Sequence, residues 1–436
     1  MPKIAIIGAG SIGFAQTLIK DVLCFESLRD AHFNLMDIDE ERLDVTYQVT
    51  QKLLEQEKLP ATISKTLDRS EALDGADYVM CAILANGIEP FANEINIPYK
   101  YGITQPVGDT MCVGGLFRAF RTIPILVDIC RDIERLCPDA WMLNYTNPMT
   151  MLTWACNVAT KVKFVGLCHG VQGTAAELAR LAGYEPEQTK YWAAGINHMA
   201  WFLRIEDLAG HSLYPKLWER LEREGAPEGD KLRWDLAKYL GYYMTESSGH
   251  LSEYLQYYRK RPDLLEQFDE PGKFAGQHGD ILEAYRGHWK PHAERTFKQI
   301  RGEEPIPFGG RSAEYASNII NSLATGELFR FNGNVMNHGL ISNLPEGACV
   351  EVPCFVDNLG IHPTPVGALP PICAALNQSN LSAQDMAVQA ALTGDREMAF
   401  HALFVDPLTS AMLAPSEIRA MFDELFEANR QWMPQF

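Results

Sequence analysis

Two short stretches carry side chains able to do chemistry. In FVGLCHGVQGT, Phe164–Thr174, Cys168 and His169 stand side by side where an apolar run stops. In AGINHMAW, Asn197 and His198 follow a second apolar run. A thiolate and an imidazole together suit a borderline divalent metal, with the remaining positions left to substrate oxygens and water. Two protein ligands are too few for a closed structural site, so such a metal would be catalytic. A plainer reading stands beside this one. Free cysteine is commonly a small buried hydrophobe, and a lone histidine commonly a satisfied core or surface group. WMLNYTNP adds Asn144 and Asn147 after a neighbouring run. Three strand ends would then bring sulfur, imidazole and amide to one crevice.

A third stretch, KIAIIGAGSIG, gives Gly8-x-Gly10-x-x-Gly13 directly after an N-terminal apolar run. Gly8 permits a tight turn, Gly10 lets the backbone approach a pyrophosphate, and Gly13 lets helix and strand pack closely. Ser11 belongs to the same cofactor loop, where the helix N-terminus offers free N–H groups to an anion. The next apolar run, FNLMDID, ends in Asp37, placed to accept from a ribose 2′-OH. A free ribose suits that acid better than a 2′-phosphate, which favours NAD over NADP. Asp39 is the weaker alternative for the same contact.

The elements that must position these groups alternate. The pattern predicts strands at 3–7, 32–36, 78–84, 142–145 and 163–167, and helices at 11–24, 40–57, 116–136 and 149–159. Such alternation implies an α/β fold with a Rossmann-type parallel sheet covered on both faces. The second half has longer helices, more aromatic residues and Gly/Pro turns. Its stretch EREGAPEGD, ending in Asp230, reads as a polar loop. VEVPCF, Val350–Phe355, is a strand signal that Pro353 demotes to an edge or irregular segment. A boundary near residue 190 divides a dinucleotide-binding domain, 1–190, from a substrate, metal and oligomerisation domain, 191–436.

Hydrophobic residues make up 47% and charged residues 22% of 436, a globular balance. The formal net charge of -18 argues against nucleic acid or an anionic membrane as partner. No run of eighteen apolar residues predicts a membrane span, and MPKIAIIGAG is no signal peptide. The ten cysteines lack a disulfide framework and read as reduced thiols, so the expected compartment is the cytoplasm.

The chain resembles glycoside hydrolase family 4 over nearly its whole length. The resemblance rests on GAGS, LMDID, YGITQPVGDT with GGLFRAFRTIP, NYTNPM, GLCHG, GINH and VEVPCFVDNLGIHP. It implies a fold related to lactate and malate dehydrogenases, with an α+β C-terminal domain. It implies NAD and a divalent metal, usually manganese, and it explains the lack of the carboxylate pair that most glycosidases use. In this family NAD takes a hydride from C3 of the sugar, which acidifies C2–H. A base removes that proton, the C1 oxygen leaves, water adds and the hydride returns.

Carried over by motif, Cys168 and His198 would ligate the metal and Asn147 would bind sugar hydroxyls. His169 stands where phosphosugar members have an Asp acid, so it is either the acid or only a hydrogen-bond donor. Tyr239 of KYLGYYMTESSGH takes the place of a base, with Tyr242 and Tyr243 in the same aromatic stripe. Other members place an Asp base near the position of Ser248. Arg286 of EAYRGHW is a candidate clamp for substrate or cofactor.

CHG, without the aspartate of phosphosugar members, suggests an unphosphorylated sugar, and TESSGHLSEY looks most like the α-galactosidase branch. The α-galacturonidase and α-glucosidase branches stay open, and the resemblance implies a homodimer or homotetramer. Two other classes remain as alternatives. One is an NAD-dependent 2-hydroxyacid dehydrogenase with His198 as proton relay. The other is a non-catalytic NAD-sensing module.

Overall fold

The apolar pentad KIAII, Lys3–Ile7, forms β1 at the centre of a parallel sheet. A computed structural model describes residues 1–271 and 275–436, and residues 288–290 by backbone alone. β2 (His32–Met36), β3 (Thr62–Thr66), β4 (Tyr78–Cys81), β5 (Trp141–Asn144) and β6 (Lys163–Gly166) complete the parallel part in the order β3-β2-β1-β4-β5-β6. Several of these runs are short, apolar and almost wholly buried, as strands covered on both faces must be. Helices Ile12–Leu23, Glu40–Glu57, Cys112–Leu136 and Met149–Ala159 lie in the crossovers that parallel pairing requires. Strand order reverses beside β1. There the crossovers diverge and open a crevice at the C-terminal strand ends.

The sheet then runs on without a break. β7 (Thr189–Ile196) and β8 (Met199–Asp207) form a hairpin, and β9 (Phe329–Met336), β10 (Cys349–Asp357) and β11 (Gly360–Pro363) follow late in the chain. Spatial order beyond β6 is β9-β10-β7-β8, with β11 also on β10, all antiparallel. Two strands made late thus separate β6 from β7.

One expectation fails here. Pro353 does not demote its segment: β10 is a fully flanked strand, and Pro353 pairs with Asn332 of β9. The reason lies in the other flank. The Pro353 carbonyl accepts from Thr364 N at 2.9 Å, so its nitrogen faces that same side, where β11 gives way to β7. No ladder donor is needed at that point. The stretch after Glu224 is a loop, as expected, and its last residue packs inward. Asp230 is buried and accepts from Arg233, Tyr243 and Ser248.

Helix Ser248–Glu253 ends in a buried carboxylate that accepts from Val107 N at 2.7 Å and Gly108 N at 2.9 Å. It pins the loop that carries Asp109. Burial raises the Glu253 carboxyl from 4.5 to about 8, against the lowering effect of those backbone bonds. The folded chain therefore keeps a proton that the unfolded chain releases, and this stabilisation fades as pH climbs through that window. Thermal unfolding should give a Tm that falls from about pH 5 to about pH 8, and Glu253→Gln should flatten the fall. Among the described residues no helix is long and apolar enough to cross a membrane.

Candidate functional site

β1 ends at Ile7 and the chain turns at Gly8, whose φ of 93° suits glycine. Its amide donates to Met36 O at 3.0 Å, and a Cβ there would lie 2.1 Å from Ala82 O. Gly10 N donates to Asp37 Oδ2 at 2.7 Å, so the acid at the end of β2 leans against the glycine loop. Ser11 turns its Oγ to Gly8 O at 2.8 Å and leaves the N-terminus of helix Ile12–Leu23 without a side-chain cap. That uncapped helix end and the nearby carboxylate suit a dinucleotide: an anion at the helix end and a ribose hydroxyl on Asp37. Asp39 is taken, since it caps helix Glu40–Glu57 through Arg42 N. Gly13 differs from expectation. Its absent Cβ would face His292 on helix Asp280–Ile300 at 3.4 Å, and no strand atom is among its neighbours.

Cys168 stands one residue beyond Leu167 at the end of β6, and its Sγ accepts from Gly170 N at 3.4 Å. His198 occupies the two-residue turn between β7 and β8, buried, with φ 63°. Glu246 precedes the short helix capped by Ser247, also left-handed at φ 71°. Such backbone conformations are uncommon for residues with a Cβ and cluster at functional sites. The three side chains converge: one donor atom from each lies within 4.8 Å of the other two. Glu246 Oε2 is 3.9 Å from Cys168 Sγ and 3.9 Å from His198 Nε2.

The electrostatics follow from burial. Burial, and then the Glu246 charge, push the Cys168 thiol well above its usual value. Burial lowers His198 to about 4, so its imidazole is neutral, and Nδ1 has no hydrogen-bond partner among the described residues. Burial alone would raise Glu246, but His198, His250, His169 and Arg233 outweigh it and hold the carboxyl at about 2. A half-buried thiol, an underused imidazole and an ionised carboxylate around one point are a donor set that a divalent cation would satisfy.

Around this cluster lie groups that the sequence reading did not single out. His250 stands edge-on to His198 with ring centroids 4.5 Å apart, and its Nδ1 meets Ser247 Oγ at 2.8 Å. Buried Asp109 accepts from Asn147 Nδ2 at 3.3 Å and lies 3.8 Å from His250 Nε2. Asn147 is thus brought to the cluster. Asn144 is not available to it, because its amide folds back onto Thr146 O and N and shapes the turn. His169, its ring 65% exposed, pairs with Glu314 at 3.3 Å. That hydrogen bond raises its pKa to about 9.

The structure leaves two candidates apart from the cluster. Tyr239 is 80% exposed on helix Lys231–Leu240, while Tyr243 of the same stripe is the buried ring. Arg286 lies on helix Asp280–Ile300, half exposed, and pairs with Glu283 at 2.7 Å. Ser248 is buried but donates to Asp230. Glu246 had one visible signal, an acid within the TESSGH stretch. Nothing in its spacing tied it to Cys168 or His198.

Family models and known proteins match this chain over nearly its whole length. Residues 3–184 match the model described as "Family 4 glycosyl hydrolase", and residues 193–409 match "Family 4 glycosyl hydrolase C-terminal domain". An alpha-galactosidase of Rhizobium meliloti is 41% identical over 440 residues, covering 100% of this chain and 89% of that one. An alpha-galactosidase of Bacillus subtilis is 40% identical over 449 residues, covering 100% of both. A 6-phospho-alpha-glucosidase from gut microorganisms, solved in complex with NAD and Mn2+, superposes with a TM-score of 0.85 at 21% identity. That match covers 99% of each chain and shows a shared fold.

Proposed function

The chain belongs to the family 4 glycosyl hydrolases, and from that premise we propose that it hydrolyses α-galactosides with NAD and a divalent cation, manganese foremost. The observation that carries the substrate is the full-length likeness to two α-galactosidases. The convergence of Cys168 and His198 beside the crevice supports the metal.

When bound, NAD supplies reversible oxidation at C3 of the sugar, and the cation supplies Lewis-acid stabilisation of charge on the C2 and C3 oxygens. Cys168 and His198 would hold the cation, the sulfur as thiolate and the imidazole through the lone pair that its neutral form keeps. Asp37 would take a ribose hydroxyl, and the uncapped N-terminus of helix Ile12–Leu23 would meet the pyrophosphate. Asn147, steadied by Asp109, offers its amide to the sugar hydroxyls. His169, kept protonated at neutral pH by Glu314, donates to the departing glycosidic oxygen. The C2 proton is not assigned to Tyr239, whose ring stands in solvent.

The test is nitrophenol release from an α-galactoside by the purified protein with NAD and Mn2+. Expected are turnover that a chelator abolishes and no accumulation of NADH. Accumulating NADH with a 2-hydroxy acid would mark a dehydrogenase instead. Cleavage of an α-glucoside or α-galacturonide but not of an α-galactoside would move the substrate assignment. Silence across all three would sink the glycosidase reading.

A further inference from the structure

We infer that Glu246 is a third protein ligand to the cation, set in place by an arginine clamp at Arg233. The inference rests on the metal-dependent reading above and deepens it.

The separations carry the first part. Glu246 Oε2 lies 3.9 Å from both Cys168 Sγ and His198 Nε2, and Oε1 lies 3.7 Å from His250 Nδ1. The two nitrogen distances are too long for hydrogen bonds. They are the right size for donors around a shared ion. With the edges to Cys168 and His198 at 3.9 Å and all three donor atoms within 4.8 Å of one another, a point lies roughly 2.3–2.5 Å from each, close to the length of metal–sulfur and metal–oxygen bonds. Three protein ligands would leave the remaining positions to substrate oxygens and water.

Gly170 supplies a second, independent observation. A Cβ at that position would lie 2.2 Å from Glu246 Oε2 and 3.5 Å from Cys168 Sγ. The residue after His169 must therefore lack a side chain for the carboxylate to reach the thiol.

The clamp is built from buried parts. Arg233 is buried, donates to the backbone carbonyl of Glu246, and is bound by Asp230. The same guanidinium reaches Thr174 Oγ1 at 3.3 Å and Glu177 Oε2 at 3.1 Å, both on helix Gly170–Leu181. That helix begins two residues after Cys168. One planar, multidentate cation thus ties the Glu246 segment to the helix that fixes the thiol, and it holds Glu246 at its strained φ of 71°. A three-ligand cradle of this kind loads metal without sugar or NAD.

The experiment is Mn2+ binding to the full chain, followed by electron paramagnetic resonance of the free ion with no NAD or sugar present. Glu246→Gln should weaken affinity by at least about tenfold while the Tm stays close to wild type. Glu246→Asp, shorter by one methylene, should retain part of it. Arg233→Lys keeps the charge but not the fork, and should weaken Mn2+ binding in a folded chain. If wild type itself takes up no Mn2+, the metal-dependent function fails. If wild type binds and Glu246→Gln binds equally well while turnover is lost, that function stands and Glu246 acts on the substrate instead, which overturns the inference.

Discussion

Cys168→Ser is expected to cut kcat/KM on an α-galactoside by about a thousandfold and Mn2+ affinity by about a hundredfold. The sulfur is polarisable and carries a long bond, whereas a serine oxygen sits closer to its Cβ and is far harder to deprotonate. In the wild type the thiol is held protonated by burial and by the Glu246 charge, so the energy of thiolate formation comes from the cation. A serine at the same place lacks that compensation. Folding should be little affected, because the contacts of Sγ are long ones, 3.4 Å to Gly170 N and 3.9 Å to Glu246. The measurement pairs steady-state kinetics with Mn2+ titration and a thermal melt. Unchanged metal affinity in a folded Cys168→Ser protein would remove the sulfur from the site.

Gly8→Ala is expected to abolish NAD binding, with affinity down by more than about a hundredfold, and to lower the Tm. Two costs act together. The left-handed φ of 93° strains any residue with a Cβ, by about 1–3 kcal/mol. The new methyl would also lie 2.1 Å from the Ala82 carbonyl oxygen, a backbone atom at the end of β4 that cannot swing aside. The loop must then move away from both β4 and Met36, and the cradle for the pyrophosphate goes with it. Gly13→Ala is the contrast. Its nearest atoms belong to the His292 ring at 3.4 Å, which can yield, so NAD affinity should change by less than about tenfold. Calorimetric titration of NAD into both variants separates the two glycines.

The parallel half of the fold was legible because each strand carries its own signal. Lys3–Ile7 and Lys163–Gly166 are short apolar runs followed at once by glycine-containing turns, and the amphipathic helices between them allow few topologies. The antiparallel half was harder. Pro353 looked like a break only because a sequence does not show which flank of a strand its nitrogen faces. Asp230 looked like a loop acid because its partner Arg233 became visible only once the helix turned inward.

The site divides in the same way. Cys168 and His198 were legible at strand ends, and the motif Gly8-x-Gly10 with Asp37 was legible by spacing. Asp109, His250 and Glu246 were not, since they reach the cluster from two loops and a short helix whose approach is set by packing. Tyr239 shows the limit of periodicity. An aromatic stripe predicts that one ring is buried without saying which, and Tyr243 takes the inside while Tyr239 stays out.

The strand order also dictates when the catalytic centre can exist during synthesis. Cys168 and His198 emerge from the ribosome early and only thirty residues apart, yet β9 and β10 stand between the strands that bear them. A nascent chain that stops short of Phe329 already contains sulfur and imidazole, but not the spacer that sets their distance. Metal capture is thereby tied to completion of the polypeptide.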